Sequence, residues 1–358
     1  MKPNIQIINP ITYLGWDDLL ISCPGYSFFH SSAWARVLSD SYGYTPIYFT
    51  VFQDGKLLAL IPLMEVNSFL TGKRGVSLPF TDYCDPIMNG NFRFNDLLND
   101  VMAYGKKCGW KYLEFRGDHN IIPYSSTRNL QPETWNIIPY ITYLGHTLNL
   151  SDKEDQIFSS FRDSTKRNVK KAVKEGVEVK IHHSFESVKE FYRLNSITRK
   201  HHGLPPQPYL FFKKVYDQII HKNMGFIVLA SFQDKPIAGG VFFHFGEKAA
   251  YKYGASDKKY QHLRANNLIM WEAIKWSSQN GFKSICFGRT EPENQGLIQF
   301  KSGWGTTEHQ ISYYRYNLKK EAFIVGSSNV VGFHNKIFRR MPIHILNRIG
   351  NILYKHVG

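Results

Sequence analysis

The chain has 358 residues, of which 43% are apolar and 15% aromatic, enough to bury two ordinary cores and too much for a disordered chain. Its 44 Lys and Arg against 29 Asp and Glu leave a net charge of +15, which calls for an anionic partner such as phosphate, nucleic acid or a lipid surface without choosing among them. Cys23, Cys84, Cys108 and Cys286 are too scattered for a secreted disulfide scaffold, and reduced, mostly core thiols of a cytoplasmic protein are expected. Pro3, Pro10, Asp17, Asp18 and Pro24 leave no signal-peptide apolar region, and no apolar run approaches the roughly 20 residues of a membrane span.

In chain order, His30 to Ser41 reads as a helix with Ser31 or Ser32 as N-cap and Ala33, Trp34, Val37 and Leu38 on one face. Ile47 to Phe52, a turn at Asp54-Gly55, and Leu57 to Met64 spell a hairpin. Phe92 to Lys107 is helical, Gly109 stops it, and Lys111 to Phe115 is a strand. Asp118 to Asn136 reads as a connection, and Thr142 to Leu150 returns as a strand.

The densest basic run follows, FRDSTKRNVKKAVKEG. A helix over Thr165 to Glu175 lines Lys166, Lys170 and Lys174 along one face and turns Val169, Ala172 and Val173 to the core. No acidic residue lies between Asp163 and Glu175, so that face reads either as a solvated surface or as one ready for phosphates. The proline-dense segment from His201 to Pro208 reads as a rigid loop over a cleft or as a plain connector. The pairs His182-His183 and His201-His202 lack i,i+4 spacing and an acidic complement, so no metal site is expected.

From Ala238 the period changes three times. Ala238 to Phe245 and Lys248 to Tyr253 read as antiparallel strands about a Gly-Glu turn; Ala265 to Gln279 is a helix stopped at Gly281. Lys283 to Phe287 is a buried strand ending at Gly288-Arg289, and His309 to Tyr316 another. This is the order of a GNAT-type acyltransferase core, whose splayed sheet exposes backbone groups to an acyl donor. The first half repeats it. Phe52-Gln53-Asp54 recurs at Phe232-Gln233-Asp234, and CGWKYLEFRG parallels NGFKSICFGR, so the chain reads as one α/β domain in tandem, with a longer loop around Asn67 to Asn91 in the first copy. The expected fold class is α/β, two tandem GNAT-like domains over 1–150 and 151–320, each a mixed, mainly antiparallel sheet flanked by helices. After them comes a basic tail over 321–358, free of Asp and Glu beyond Glu321. Its residues Ile337 to Leu353 have near-helical apolar spacing, which suits either an anionic membrane surface or the protein's own core.

HSSAWARVLSDSYGY, SLPFTDYCDP, FRDSTKRNVKKAVKEGVEV, PIAGGVFF, NNLIMWEAIKW, GRTEP and GLIQFKSGWG together resemble the FemAB-like branch of the GNAT superfamily, over roughly Phe28 to Tyr316. That branch includes peptidoglycan cross-bridge aminoacyltransferases and relatives linked to exopolysaccharide loci. The resemblance implies transfer of an aminoacyl or acyl group to an amine of a cell-wall or envelope precursor, nucleotide-linked or lipid-linked. The implied donor is aminoacyl-tRNA, with no tightly bound cofactor, and the implied place is the cytoplasm or the inner face of the membrane. Two departures stand out. The Q/R-x-x-G-x-G/A loop of CoA-using relatives reads Gln261-His262-Leu263-Arg264-Ala265-Asn266, without either glycine, which favours aminoacyl-tRNA over acyl-CoA. No segment has the length of the helical hairpin that some Fem enzymes insert.

By the same resemblance Lys301, in the pair Phe300-Lys301, is expected to stabilise the tetrahedral oxyanion, held by the ring face of Phe300. A surface lysine at a helix end is the alternative. Arg289, past a strand end, suits a phosphate or carboxylate, and Arg264, Tyr253, Lys166, Lys170 and Lys174 join it as candidate binding residues. Asp82 and Asp85 are candidates to take or orient the amine's proton, unless the substrate itself does so. The competing readings are a non-catalytic RNA- or membrane-binding relative and an acyl-CoA-dependent small-molecule N-acetyltransferase.

Overall fold

The computed structural model describes residues 4–89, 92–118, 138–150, 153–326 and 334–358. Beyond Asp118 the expected connection to Asn136 lies outside them. The chain opens with β1 (Ile5–Ile8), α1 (Trp16–Ile21), α2 (Ser32–Tyr42), β2 (Thr45–Gln53), β3 (Lys56–Val66), β4 (Arg74–Val76), β5 (Ile87–Met88), α3 (Phe94–Lys107), β6 (Tyr112–Asp118) and β7 (Ile141–Asn149). It continues with α4 (Glu154–Ser159), α5 (Asp163–Lys174), β8 (Glu178–His182), α6 (Phe185–His201), α7 (Tyr209–Val215), β9 (Gly225–Phe232), β10 (Lys235–Phe245), β11 (Lys248–Ser256) and α8 (Ala265–Gln279). It closes with β12 (Ser284–Thr290), α9 (Gln295–Ser302), β13 (Thr307–Asn317), β14 (Ala322–Phe323), α10 (His334–Arg340) and α11 (Ile343–Val357).

Contacts gather these elements into two units, Met1–Leu144 with His309–Asn329 and Lys355–Gly358, and Gly145–Glu308 with Val330–Tyr354. These bounds differ from 1–150, 151–320 and 321–358, because sequence order cannot see which sheet a strand joins. Most of β13 is counted with the first unit, and the tail is shared between the two.

In the first unit the strand order is β1-β2-β3-β4-β6-β13, antiparallel except for the parallel pair β4 and β6. In the second it is β8-β9-β10-β11-β12, antiparallel except for the parallel pair β11 and β12, and β7 lies beside β12. The repeat is therefore element by element, and its local causes repeat as well. Each hairpin closes on two successive left-handed residues, Asp54-Gly55 (φ 51° and 74°) and Gln233-Asp234 (φ 51° and 60°), the turn geometry that matches strand twist. Each central helix stops at a left-handed glycine, Gly109 or Gly281, and the next residue's N–H reaches back five positions, Trp110 to Gly105 and Phe282 to Ser277.

The first core packs Phe49, Ile61 and Leu63 of the hairpin against Leu97, Leu98 and Val101 of α3 and Tyr314 and Tyr316 of β13. Each large side chain so buried contributes roughly 1.5–3 kcal/mol. Beside it Glu114 is buried between Arg116 and Arg315. Burial alone would raise its carboxyl pKa, but the two guanidiniums outweigh burial and hold it below the usual range. In the second core α8 is buried nearly all round, Ile269, Met270, Ala273 and Ile274 meeting Phe226, Phe242, Ile285 and Phe287, while α5 packs along it. Val169 and Ala172 of α5 are buried as expected, but Val173 is 59% exposed, because the covered face of α5 is narrower than its apolar stripe.

Packing narrows two readings that the sequence left open. The loop from His202 to Pro208 is pinned within the second unit. The Pro205 carbonyl accepts from Arg199 and from the Tyr354 hydroxyl, and a Cβ at Gly203 would strike the Asn335 backbone at 2.3 Å. The C-terminal helix is correspondingly docked: Leu346 is fully buried and Gly350 lies against the Pro206 carbonyl. What α11 leaves outward is a mixed stripe of Ile345, Arg348, Ile352 and Lys355. Among the described residues no helix is long and apolar enough to cross a membrane.

His244 of β10 sits among aromatic rings, 4.8 Å from Phe282 and 6.0 Å from Trp276, and burial, with His183 nearby, holds its pKa down to about 4. A histidine whose pKa falls on folding contributes stability above its unfolded value near 6.5 and loses that contribution as pH drops toward the folded value. His244→Phe should therefore flatten the fall in thermal stability between pH 6.5 and 4, read by circular dichroism melts.

Candidate active site

The second sheet opens where β11 leaves β12. β10 and β11 stay paired from Phe245–Lys248 to Ala238–Ser256, with a register slip at Val241/Phe242. In contrast β11 and β12 pair only over Lys248–Ala250 and Ser284–Cys286, so Tyr251 to Ser256 and Phe287 to Thr290 diverge. A cleft of about 390 Å³ lies in this unit, walled by the N-terminus of α8, by Ser164, Thr165 and Asn168 of α5, by the ends of β10 and β11, and by Gln299 and Phe300 of α9.

The N-terminus of α8 gives the cleft its electrostatic character. A helix of 15 residues presents unpaired N–H groups and a partial positive charge at its start. Arg264, the residue before it, holds φ at 60°, and its carbonyl accepts from the Asn267 N–H. That left-handed conformation costs a non-glycine residue about 1–2 kcal/mol. Arg264 thus holds a left-handed conformation that glycine favours. Arg264 and Asn266 now line the cleft with side chains where glycines would leave bare backbone, and the Asn266 amide reaches the Ser256 hydroxyl at 3.4 Å. Ser256 is itself clipped to α6, its N–H and carbonyl both bonded to the Thr198 hydroxyl.

Lys301 is not a surface lysine. It is 3% exposed, and its ammonium donates to the carbonyls of Gly288 at 2.8 Å and Arg289 at 3.0 Å, at the diverging end of β12. Gly288 has φ 68°, a turn that favours glycine, so the strand can bend both carbonyls toward the lysine. Beside these carbonyls, Phe300 lines the cleft and packs edge-on to Trp304 at 5.9 Å. The rest of QFKSGWG fixes this geometry. Trp304 is fully buried against Phe161 at 5.0 Å, the Gly303 carbonyl accepts from the Arg162 N–H, and a Cβ at Gly303 would lie 2.5 Å from the Thr165 hydroxyl.

The other expected site residues divide. Arg289 is half-buried next to the clamp on Lys301. Lys170 and Lys174 are exposed on α5 outside the cleft lining, and Lys166 pairs with Asp163 at 3.6 Å, a partner the run's composition seemed to deny. Tyr253 packs against Phe212 and Phe211 of α7 rather than lining the cleft. Asp82 and Asp85 belong to the first unit, where Asp85 is buried with its carboxylate against Gly117 and its carbonyl 2.7 Å from His30 Nε2. The Asp82 carbonyl accepts from the Tyr313 hydroxyl. Ser164, Thr165, Asn168 and Gln299 were missed. The signal for the first three was their shared helical face, masked in the sequence by the lysines beside them.

Residues 159–302 match the family model described as an acetyltransferase (GNAT) domain, a span that contains the cleft and Lys301. A lipid II:glycine glycyltransferase of Staphylococcus haemolyticus is 21% identical over 244 residues, covering 48% of this chain and 58% of that protein, so the chain spans little more than half of that relative's length. Among solved structures, the crystal structure of FemX is similar with a TM-score of 0.61 at 15% identity, covering 85% of this chain and 95% of that one. A tandem GNAT protein from the clavulanic acid biosynthesis pathway gives 0.52 at 8% identity, covering 88% and 99%. The fold is thus α/β with tandem GNAT-like neighbours, and the chain resembles the FemAB-like branch.

If the left-handed turn at Arg264 is imposed by its surroundings, Arg264→Gly should unfold at the wild-type temperature or above. Arg264→Val, β-branched and poorly suited to positive φ, should lose about 1–2 kcal/mol in chemical denaturation.

Proposed function

We propose that the protein is an N-aminoacyl- or N-acyltransferase that modifies an amine on a cell-wall or envelope precursor, with aminoacyl-tRNA as donor. The observation that carries this reading is the end of β12, where two carbonyls fix the buried ammonium of Lys301, one residue from the cleft-lining Phe300. The likeness to a protein named for glycyl transfer to lipid II supports the class of acceptor.

In the proposed reaction the acceptor nitrogen attacks the ester carbonyl, a C–N bond forms, and negative charge gathers on the carbonyl oxygen. Lys301 stabilises that oxyanion from a position set by two carbonyls, so no reorganisation is required as charge develops. Collapse breaks the C–O bond, and the leaving ribose oxygen takes the proton the amine gives up, which needs no carboxylate from the protein. Arg264 and the α8 N-terminus receive donor phosphate, and the exposed Lys170 and Lys174 extend that field along α5. The acceptor is nucleotide-linked or lipid-linked. In the lipid-linked case the protein would work at the inner membrane face.

A second reading, transfer from an acyl-CoA, draws on the left-handed turn at Arg264. Calorimetry separates the two: micromolar acetyl-CoA binding with acetyl transfer would establish the CoA reading. For the first reading, Lys301→Met should lower kcat about 100-fold or more with donor KM little changed, its fold checked by thermal melts in parallel. Full activity in that variant removes Lys301 from the chemistry. Lys170→Glu with Lys174→Glu should weaken tRNA binding and make its salt dependence shallower; an unchanged slope returns that face to solvent.

A further inference from the structure

In the first unit, the loop between β3 and β4 carries Phe69 and Leu70 at its tip, 82% and 55% exposed. Two adjacent large apolar side chains in water are usually tolerated on slack segments, but this loop is tied from beneath. The Ser68 hydroxyl is buried, accepts from the Thr71 N–H at 3.0 Å and lies 3.0 Å from Nδ1 of His356. The Gly72 N–H returns to the Ser68 carbonyl at 2.7 Å. The Thr71 hydroxyl donates to the His356 carbonyl at 2.9 Å, and the buried Arg74 donates to the Thr71 hydroxyl and to the carbonyls of His356 and Gly358. The Phe69 ring stands edge-on to the His356 imidazole at 4.6 Å. The tip is therefore held outward by a buried polar base, at the expense of leaving its apolar pair in solvent.

The surroundings select the partner. Val357 is exposed beside His356, Lys355 is exposed one residue further, and Lys111 is exposed with its ammonium on the Thr71 carbonyl. Lys73 pairs with Glu65 at 3.0 Å, and among the described residues neither Lys111 nor Lys355 has an acidic partner. An apolar tip with two exposed lysines near its base matches the interface of an anionic bilayer, where rings enter the acyl boundary and ammonium groups stay among headgroups.

We propose that the Phe69-Leu70 tip is a membrane-insertion element that docks the first unit on an anionic lipid surface. It deepens the reading of a lipid-linked acceptor and rests on that reading for its purpose. Its physical evidence is separate.

The test uses the full chain with vesicles of phosphatidylcholine alone and of phosphatidylcholine with phosphatidylglycerol, and no acyl donor. Wild type should co-sediment with the anionic vesicles, and F69S/L70S should bind them about tenfold less or weaker still. The emission of F69W, taken as a difference from wild type, should shift to the blue on anionic vesicles only. Unchanged binding by F69S/L70S, or no shift in F69W while the protein binds, overturns the proposal. So does a dimer in sedimentation velocity that F69S/L70S dissolves, since the tip would then cover a second copy. Transfer to a water-soluble acceptor by F69S/L70S reports separately on the transferase reading and should stay at the wild-type level.

Discussion

The second unit depends on where one strand pair stops. β11 and β12 share three residue pairs and then part, although both strands continue. A parallel pair that ran to its end would engage the backbone of Tyr251 to Ser256 from both neighbouring strands. The register of β10 and β11 slips at Val241/Phe242, and the largely buried helix α8 packs against β10 and β11. Ser256, at the end of the stretch of β11 that leaves β12, lines the cleft.

Around the opening, polar groups are held by backbone rather than by other side chains. Lys301 is fixed by two carbonyls, Ser256 by Thr198, and the α8 N-terminus by a residue in a conformation it would not choose in isolation. Burying an ammonium is expensive unless its hydrogen bonds are made, and the carbonyls turned by Gly288 make them. The glycines and the tryptophan of QFKSGWG act on the same geometry by letting the end of α9 approach α5 closely and then filling the gap with Trp304.

Local features were legible in the sequence. The two hairpin turns, the two helix-stopping glycines and the Ser31 cap of α2 each depend on a few adjacent residues, and each appears where the letters put it. Partnership was not legible. That β13 lies beside β6 and β7 beside β12 is set by pairing between residues far apart in the chain, which periodicity does not encode. The tail shows the same limit: its apolar spacing is identical whether Leu346 meets lipid or protein. At the site, Arg264 shows that the absence of glycine does not establish the absence of a glycine-like turn. Lys301 was indicated by its resemblance and its neighbour Phe300, whereas the carbonyl clamp that positions it required knowing that Gly288 bends the strand.

The most direct test of the cleft as the transfer site is amide hydrogen exchange with and without a non-hydrolysable aminoacyl-tRNA analogue. Slower exchange over Tyr251 to Ser256 and over the first turn of α8, from Ala265 to Leu268, is the predicted result. Exchange unchanged in both stretches while the analogue is bound would contradict it.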